Sequence, residues 1–103
     1  MLVLPRKSAK IWDKFIRENR TLVYRYMVRQ IIKGIQNNDS IVELFEFEGS
    51  DVRAWVPKAN YLQTLQEALR VFIEAEAYED AARVAELINT HYIDQIIKDT
   101  STE

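Results

Sequence analysis

Ile41-Val42-Glu43-Leu44-Phe45-Glu46-Phe47-Glu48-Gly49-Ser50-Asp51-Val52-Arg53-Ala54-Trp55-Val56 is the stretch on which the reading of this chain turns. Gly49-Ser50 is a Gly-first pair suited to a type II′ turn. Counting outward from it, Glu48 faces Asp51, Phe47 faces Val52, Glu46 faces Arg53, Phe45 faces Ala54 and Leu44 faces Trp55. Successive residues of a strand point to opposite sides. One face therefore collects Phe45, Phe47, Val52, Ala54 and Val56, and the other Glu46, Glu48, Asp51 and Arg53, with Leu44 and Trp55 at its far end. A slip of one residue mixes the two sets, so 41–56 reads as a β-hairpin in this register. Glu46 opposite Arg53 predicts a cross-strand ion pair. Leu44 and Trp55 are apolar residues on a charged face, and read as partner-binding anchors. The competing account has a helix or Met1–Leu4 fold over them.

Both flanks of the hairpin are helical in pattern. On the N-terminal side Ser8 suits an N-cap, and Ile11, Trp12, Phe15 and Ile16 follow at helical spacing. Leu22, Val23, Tyr26, Met27, Ile31 and Ile35 continue it, predicting a second helix over about 21–36, with a strand at 21–28 as the alternative. Asn37-Asn38-Asp39-Ser40 reads as a loop. On the C-terminal side Pro57 ends the strand, and Asn60 suits a cap for a helix to about Ala75 with Leu62, Leu65, Leu69, Phe72 and Ile73 on its apolar face. A last helix starts near Glu79 and carries Ala81, Ala82, Val84, Ala85, Leu87, Ile88, Tyr92, Ile96 and Ile97, leaving 99–103 as a polar tail. The fold class is α+β, mainly α: two N-terminal helices, a central β-hairpin and a C-terminal antiparallel helical hairpin. A single domain is expected, with a basic helical segment at 8–36, the hairpin at 41–56 and the helical hairpin at 60–98. A two-stranded ribbon is marginal alone. Helices can cover its apolar face but not its two edges, so self-association is expected. Glu43 and Lys58 are edge charges that oppose it.

Composition narrows the chemistry. The chain has 103 residues, a net charge of −2, no cysteine, two glycines and one histidine. Without cysteine there is no disulfide, thiolate metal site or thiol nucleophile. Gly34 and Gly49 lie too far apart for a phosphate-cradling loop. His91, with no second histidine, reads as a helix-end residue rather than a metal ligand or a base. Glu46 and Glu48 share a face, but Arg53 opposite Glu46 is the plainer reason for them; Glu79 and Asp80 suit the positive end of the last helix. No catalytic residue, metal or cofactor is expected. The short apolar start, closed by Pro5-Arg6-Lys7, fits neither a signal peptide nor a span of about 20 apolar residues. A cytoplasmic protein without membrane attachment is the expectation.

Charge is unevenly distributed. Residues 1–36 hold nine basic side chains (Arg6, Lys7, Lys10, Lys14, Arg17, Arg20, Arg25, Arg29, Lys33) against Asp13 and Glu18, a balance of +7 that leaves −9 for the remainder. Lys10, Lys14 and Arg17 form one helical row, and Arg25, Arg29 and Lys33 another. These six residues are the candidate contacts for nucleic acid, with phosphates as the target. The overall balance is acidic, so a solvated face neutralised by the chain's own acidic half, or by a second copy, is the preferred account.

The segment Tyr78-Glu79-Asp80-Ala81-Ala82-Arg83-Val84-Ala85-Glu86-Leu87-Ile88 carries an aromatic, a glutamate, a spacer, two alanines, an aliphatic, an acid and an isoleucine in register. In this it resembles the UVR motif, a helical hairpin of excision-repair proteins and of Clp-type unfoldases and their partners; Ala85 stands where that family usually has arginine. The resemblance implies protein–protein association rather than catalysis, with Tyr78 and Glu79 as partner-binding residues. The whole-chain layout is similar to small phage and bacterial proteins without an established activity. The pattern also has a packing explanation: Ala81, Ala82 and Ala85 allow close helix approach, and Tyr78 plugs the turn. The expected function is a non-enzymatic protein-interaction module whose partner is a second copy or another protein; a nucleic-acid-binding accessory protein is the alternative.

Overall fold

The computed structural model describes residues 2–5, 9–49 and 53–101. The elements in chain order are β1 (Leu2–Leu4), α1 (Ala9–Glu18), α2 (Arg20–Asn37), β2 (Ile41–Phe47), β3 (Arg53–Pro57), a short 3₁₀ turn (Lys58–Asn60), α3 (Tyr61–Glu74) and α4 (Tyr78–Ser101). The fold is mainly α with one small sheet, as the patterning predicts. Two compact units divide the chain, Met1–Tyr61 and Leu62–Glu103.

In the first unit the sheet has three strands in the order β1-β2-β3. The antiparallel pair is the expected hairpin, with Glu46 opposite Arg53 and Phe45 opposite Ala54. Gly49 has φ +70°, the positive angle its turn position requires. Ser50, Asp51 and Val52, with their expected pairings, lie outside the described residues, as do Arg6, Lys7 and the cap residue Ser8. Beyond Phe45 the register shifts: Glu43, not Leu44, faces Trp55, and Val42 faces Val56. Leu44 is thus the extra residue of a β-bulge, an insertion that re-aims the strand. The bulge turns Leu44 into the interior, where it is 4% exposed, so it is not the exposed partner-binding anchor expected from simple alternation.

β1 adds a parallel strand that the hairpin pattern did not predict, with Leu2, Val3 and Leu4 opposite Phe45, Glu46 and Phe47. Parallel neighbours need a long crossover, supplied here by α1 and α2, so the pairing leaves no local signature. The ribbon is therefore not two-stranded, and one of the two edges on which self-association was argued is occupied.

α1 and α2 are separate helices broken at Asn19, whose φ of −123° leaves the helical region. Its amide and its side-chain Nδ2 both donate to the Phe15 carbonyl, at 3.0 and 2.8 Å, closing the end of α1. Residues 21–28 are helical, which settles the helix-or-strand alternative. α2 ends on Asn38 in the left-handed conformation (φ 55°). The Asn38 and Asp39 amides there donate to the carbonyls of Ile35 (3.2 Å) and Gly34 (2.8 Å), the Schellman arrangement. Val28, Ile31 and Gly34 are the buried residues of α2. Val42, Leu44, Val56 and Tyr61 complete the buried set of this unit among the described residues.

The second unit is the helical hairpin. α3 buries Thr64, Leu65, Ala68, Val71 and Phe72, and α4 buries Ala81, Val84 and Ile88. The stripe on α3 is rotated from the predicted one: it runs through small Ala68 and polar Thr64, Leu62 and Leu69 flank it half-buried, and Ile73 is 51% exposed. On α4, Ala82 and Ala85 are exposed, so of the three alanines only Ala81 serves close packing. Tyr78 is 64% exposed and does not plug the turn. The turn is closed by backbone instead: the Glu76 amide donates to the Ile73 carbonyl (3.0 Å) and the Ala77 amide to the Phe72 carbonyl (2.8 Å). The helix α4 continues through Ser101, three residues beyond the expected end.

Glu76 takes the left-handed conformation at φ 58° without being glycine. That conformation costs a residue with a Cβ roughly 1–2 kcal/mol, part of which glycine's looser unfolded chain offsets. Glu76→Gly is accordingly expected to raise stability by about 0.5–1 kcal/mol, read as a higher urea midpoint at an unchanged slope.

Candidate functional site

An apolar concavity of the first unit lies between α1, the start of α2 and the β1–β2 part of the sheet. It has a volume of about 140 Å³ and is walled by Trp12, Phe15 and Ile16 from α1, Leu22, Val23 and Tyr26 from α2, and Leu4, Phe45 and Phe47 from the strands. Its wall is apolar throughout, because each contributing element turns its hydrophobic arc the same way. Trp12 stacks edge-on with Phe15 (centroids 5.6 Å apart) and Phe47 (5.7 Å), and Phe45 with Phe47 (6.0 Å). Tyr26, at the floor, donates its hydroxyl to the Leu44 carbonyl. That acceptor lies in the bulge, where ladder pairing is interrupted, so the bulge and the cleft are tied by one bond. The indole nitrogen of Trp12 is buried and has no hydrogen-bond partner among the described residues.

The rim is more exposed than a finished core. Phe15, Ile16 and Leu22 all keep a third or more of their surface in solvent, Leu22 as much as 56%. Periodicity places these residues on apolar stripes but cannot distinguish a stripe that packs within the chain from one that waits for a partner. Outside the rim the surface becomes polar. Ile16 is shared with a groove lined by Asp13, Arg17, Arg20 and Tyr24, and Leu22 with one lined by Arg17, Glu18, Asn19, Arg20, Thr21 and Arg25.

The other face of the sheet carries Trp55, 55% exposed. Beside it Arg53 bridges Glu43 (Nη1 to Oε1, 3.5 Å) and Glu46 (Nε to Oε2, 3.4 Å), so the expected Glu46–Arg53 pair is present and extended by the bulge. Of the predicted anchors on this hairpin, Trp55 is available at the surface and Leu44 is not. Tyr78 and Glu79 are both exposed, at the start of α4.

The six candidate nucleic-acid contacts sit on α1 (Lys10, Lys14, Arg17) and α2 (Arg25, Arg29, Lys33), all exposed except the half-buried Arg25. Lys58 instead donates to the Asn38 side chain at 2.7 Å. His91 is exposed, its ring edge-on to Tyr92 with centroids 6.4 Å apart, and burial pushes the Tyr92 phenol up from its ordinary pKa. Among the described residues, no group of three or more His, Asp and Glu side chains is placed to hold a metal ion, and no helix is long and apolar enough to cross a membrane. Comparison of the chain with protein-family models, with characterised proteins and with solved structures finds no match.

Proposed function

We propose that the protein is a non-enzymatic protein-interaction module of the cytoplasm that self-associates, and that the cleft between α1, α2 and the sheet is its receptor surface. The observation that carries this reading is the combination of a wholly apolar wall with an exposed apolar rim. The surface that this wall presents is carbon, with the Tyr26 hydroxyl engaged with the Leu44 carbonyl and the Trp12 nitrogen buried. It offers little to transfer a proton or polarise a bond, which are the elementary acts of catalysis. It does offer what interface centres offer: aromatic surface that gains by leaving water, surrounded by charge that selects the partner.

The test is light scattering or sedimentation velocity across a concentration series, for the wild type and for Leu22→Asp. Leu22 is more than half exposed, and an acid in the first turn of a helix is tolerated, so the substitution leaves the fold intact by circular dichroism. Mass that rises with concentration in the wild type and not in Leu22→Asp supports the proposal. A wild type that stays monomeric, or association indifferent to Leu22→Asp, contradicts it.

Nucleic-acid binding is the second reading, motivated by the two basic rows on α1 and α2. It predicts a gel shift with random-sequence DNA or RNA that weakens steeply with salt and disappears when Arg25, Arg29 and Lys33 are all alanine.

A further inference from the structure

The cleft's size says something about its occupant. An apolar cavity of about 150 Å³ accepts one benzene ring, and the cleft measures about 140 Å³. One aromatic side chain is the natural guest, and the charged surroundings favour one carried on an acidic support. The grooves that share Ile16 and Leu22 with the cleft are lined by Arg17, Arg20 and Arg25 against Asp13 and Glu18, and α1 and α2 together carry seven basic side chains against those two acids.

The α3–α4 turn of the second unit has those properties. Tyr78 and Ile73 stand out from it, 64% and 51% exposed. Glu74, Glu76, Glu79 and Asp80 surround them in sequence, and no basic residue occurs between Arg70 and Arg83. Trp55, the other exposed aromatic of comparable prominence, fits less well: its indole is larger than one ring, and Arg53 beside it brings a positive charge that the basic rim would repel.

We infer that the phenol ring of Tyr78 from a second copy of this chain occupies the cleft, with Glu74, Glu76 and Glu79 of that copy facing the basic rim on α1 and α2. This rests on the proposed receptor role of the cleft and names its partner. Donor and acceptor are different surfaces, so the contact is heterologous: each copy offers one cleft and one turn, and association extends head to tail until a ring closes. Because oppositely charged rims contribute, it weakens as salt rises.

Complementation between two full-length variants tests this. Leu22→Asp disables the cleft and keeps the turn; Tyr78→Ala disables the turn and keeps the cleft. Each alone is expected to associate roughly 30-fold more weakly than wild type, the scale of an interface aromatic of hot-spot weight. Mixed in equal amounts, the two are expected to form a 1:1 heterodimer and stop there, since only one productive junction remains. A Glu76→Arg, Glu79→Arg double variant is expected to lose association as well, and to regain it when mixed with a chain carrying Arg17→Glu and Arg20→Glu. Association abolished by Leu22→Asp but unaffected by Tyr78→Ala overturns the choice of guest while leaving the cleft as the receptor. Failure of the two single variants to complement overturns the head-to-tail geometry. A wild type that does not associate at all removes both readings together.

Discussion

Phe72→Ala is expected to lower the stability of the helical hairpin by about 3–4 kcal/mol, whereas Ile73→Ala changes it by less than about 0.5 kcal/mol. The two residues are neighbours of similar hydrophobicity, and both belong to the apolar face read from the sequence. Only Phe72 is enclosed, at 1% exposed, while half of Ile73 meets water. Removing the phenyl group loses its transfer free energy and leaves a cavity that helices closed by a tight turn refill only in part. Against a total of about 5–15 kcal/mol for a small domain, that loss is a large fraction. Urea unfolding followed by circular dichroism reads both variants. Equal midpoints for the two would show that the α3 stripe is centred where the leucine spacing put it, rather than on Ala68.

Gly34→Ala is the second large effect, expected to destabilise by about 2 kcal/mol although alanine is the better helix former by roughly 1 kcal/mol. A Cβ at this position in α2 would lie 2.7 Å from the Tyr61 hydroxyl and 3.1 Å from Val42 Cγ2. Neither neighbour has room to withdraw. Tyr61 is 1% exposed, and its hydroxyl donates to the Asp39 carbonyl at 3.1 Å. Asp39 in turn donates its amide to the Gly34 carbonyl at 2.8 Å. Helix end, loop and tyrosine thus close on one another, and the absent side chain at Gly34 is what lets them meet. Thermal or urea unfolding measures the change. If Gly34→Ala is as stable as wild type or more so, Tyr61 does not sit against α2 in this way.

Much of this architecture is legible in the residues, and the parts that are not have identifiable causes. Gly49 and the charge alternation specify the hairpin and its Glu46–Arg53 and Phe45–Ala54 pairs, and the i, i+3, i+4 spacing specifies four helices. The bulge is also written in the sequence, as adjacent apolar Leu44 and Phe45 where strict alternation requires one polar residue. Pairing outward from the turn with a constant step passes over that signal and places Leu44 on the wrong face. β1 is different in kind: three residues carry no period, and their partner is some forty positions away. The rotated face of α3 is missed because large leucines dominate a reading by hydrophobicity, while the buried stripe includes small Ala68 and polar Thr64.

The cleft was legible only as a set of residues. Trp12, Phe15, Ile16, Leu22, Val23 and Tyr26 all lie on apolar stripes, and Phe45 and Phe47 on the apolar face of the hairpin. Every one reads as core. Whether such a surface closes within the chain depends on how many elements converge on it and at what separation, and those are properties of the assembled fold. Here α1 is only ten residues long, and Ile11, Phe15 and Ile16 on it stay exposed. Tyr78 illustrates the converse. Its position in a helix-turn pattern suggests a plug, yet a backbone-closed turn at Ile73–Ala77 needs none, so the ring is left outside.

Fluorescence of Trp12 across the association range tests the receptor role of the cleft most directly. The chain has two tryptophans, Trp12 in the cleft wall and Trp55 on the opposite face of the sheet, so Trp55→Phe leaves one reporter at the surface in question. The expected result is a blue shift of the Trp12 emission that tracks the rise in mass measured by light scattering, as a second chain displaces water from the cleft. Association that proceeds to completion with the Trp12 emission unchanged would contradict the account.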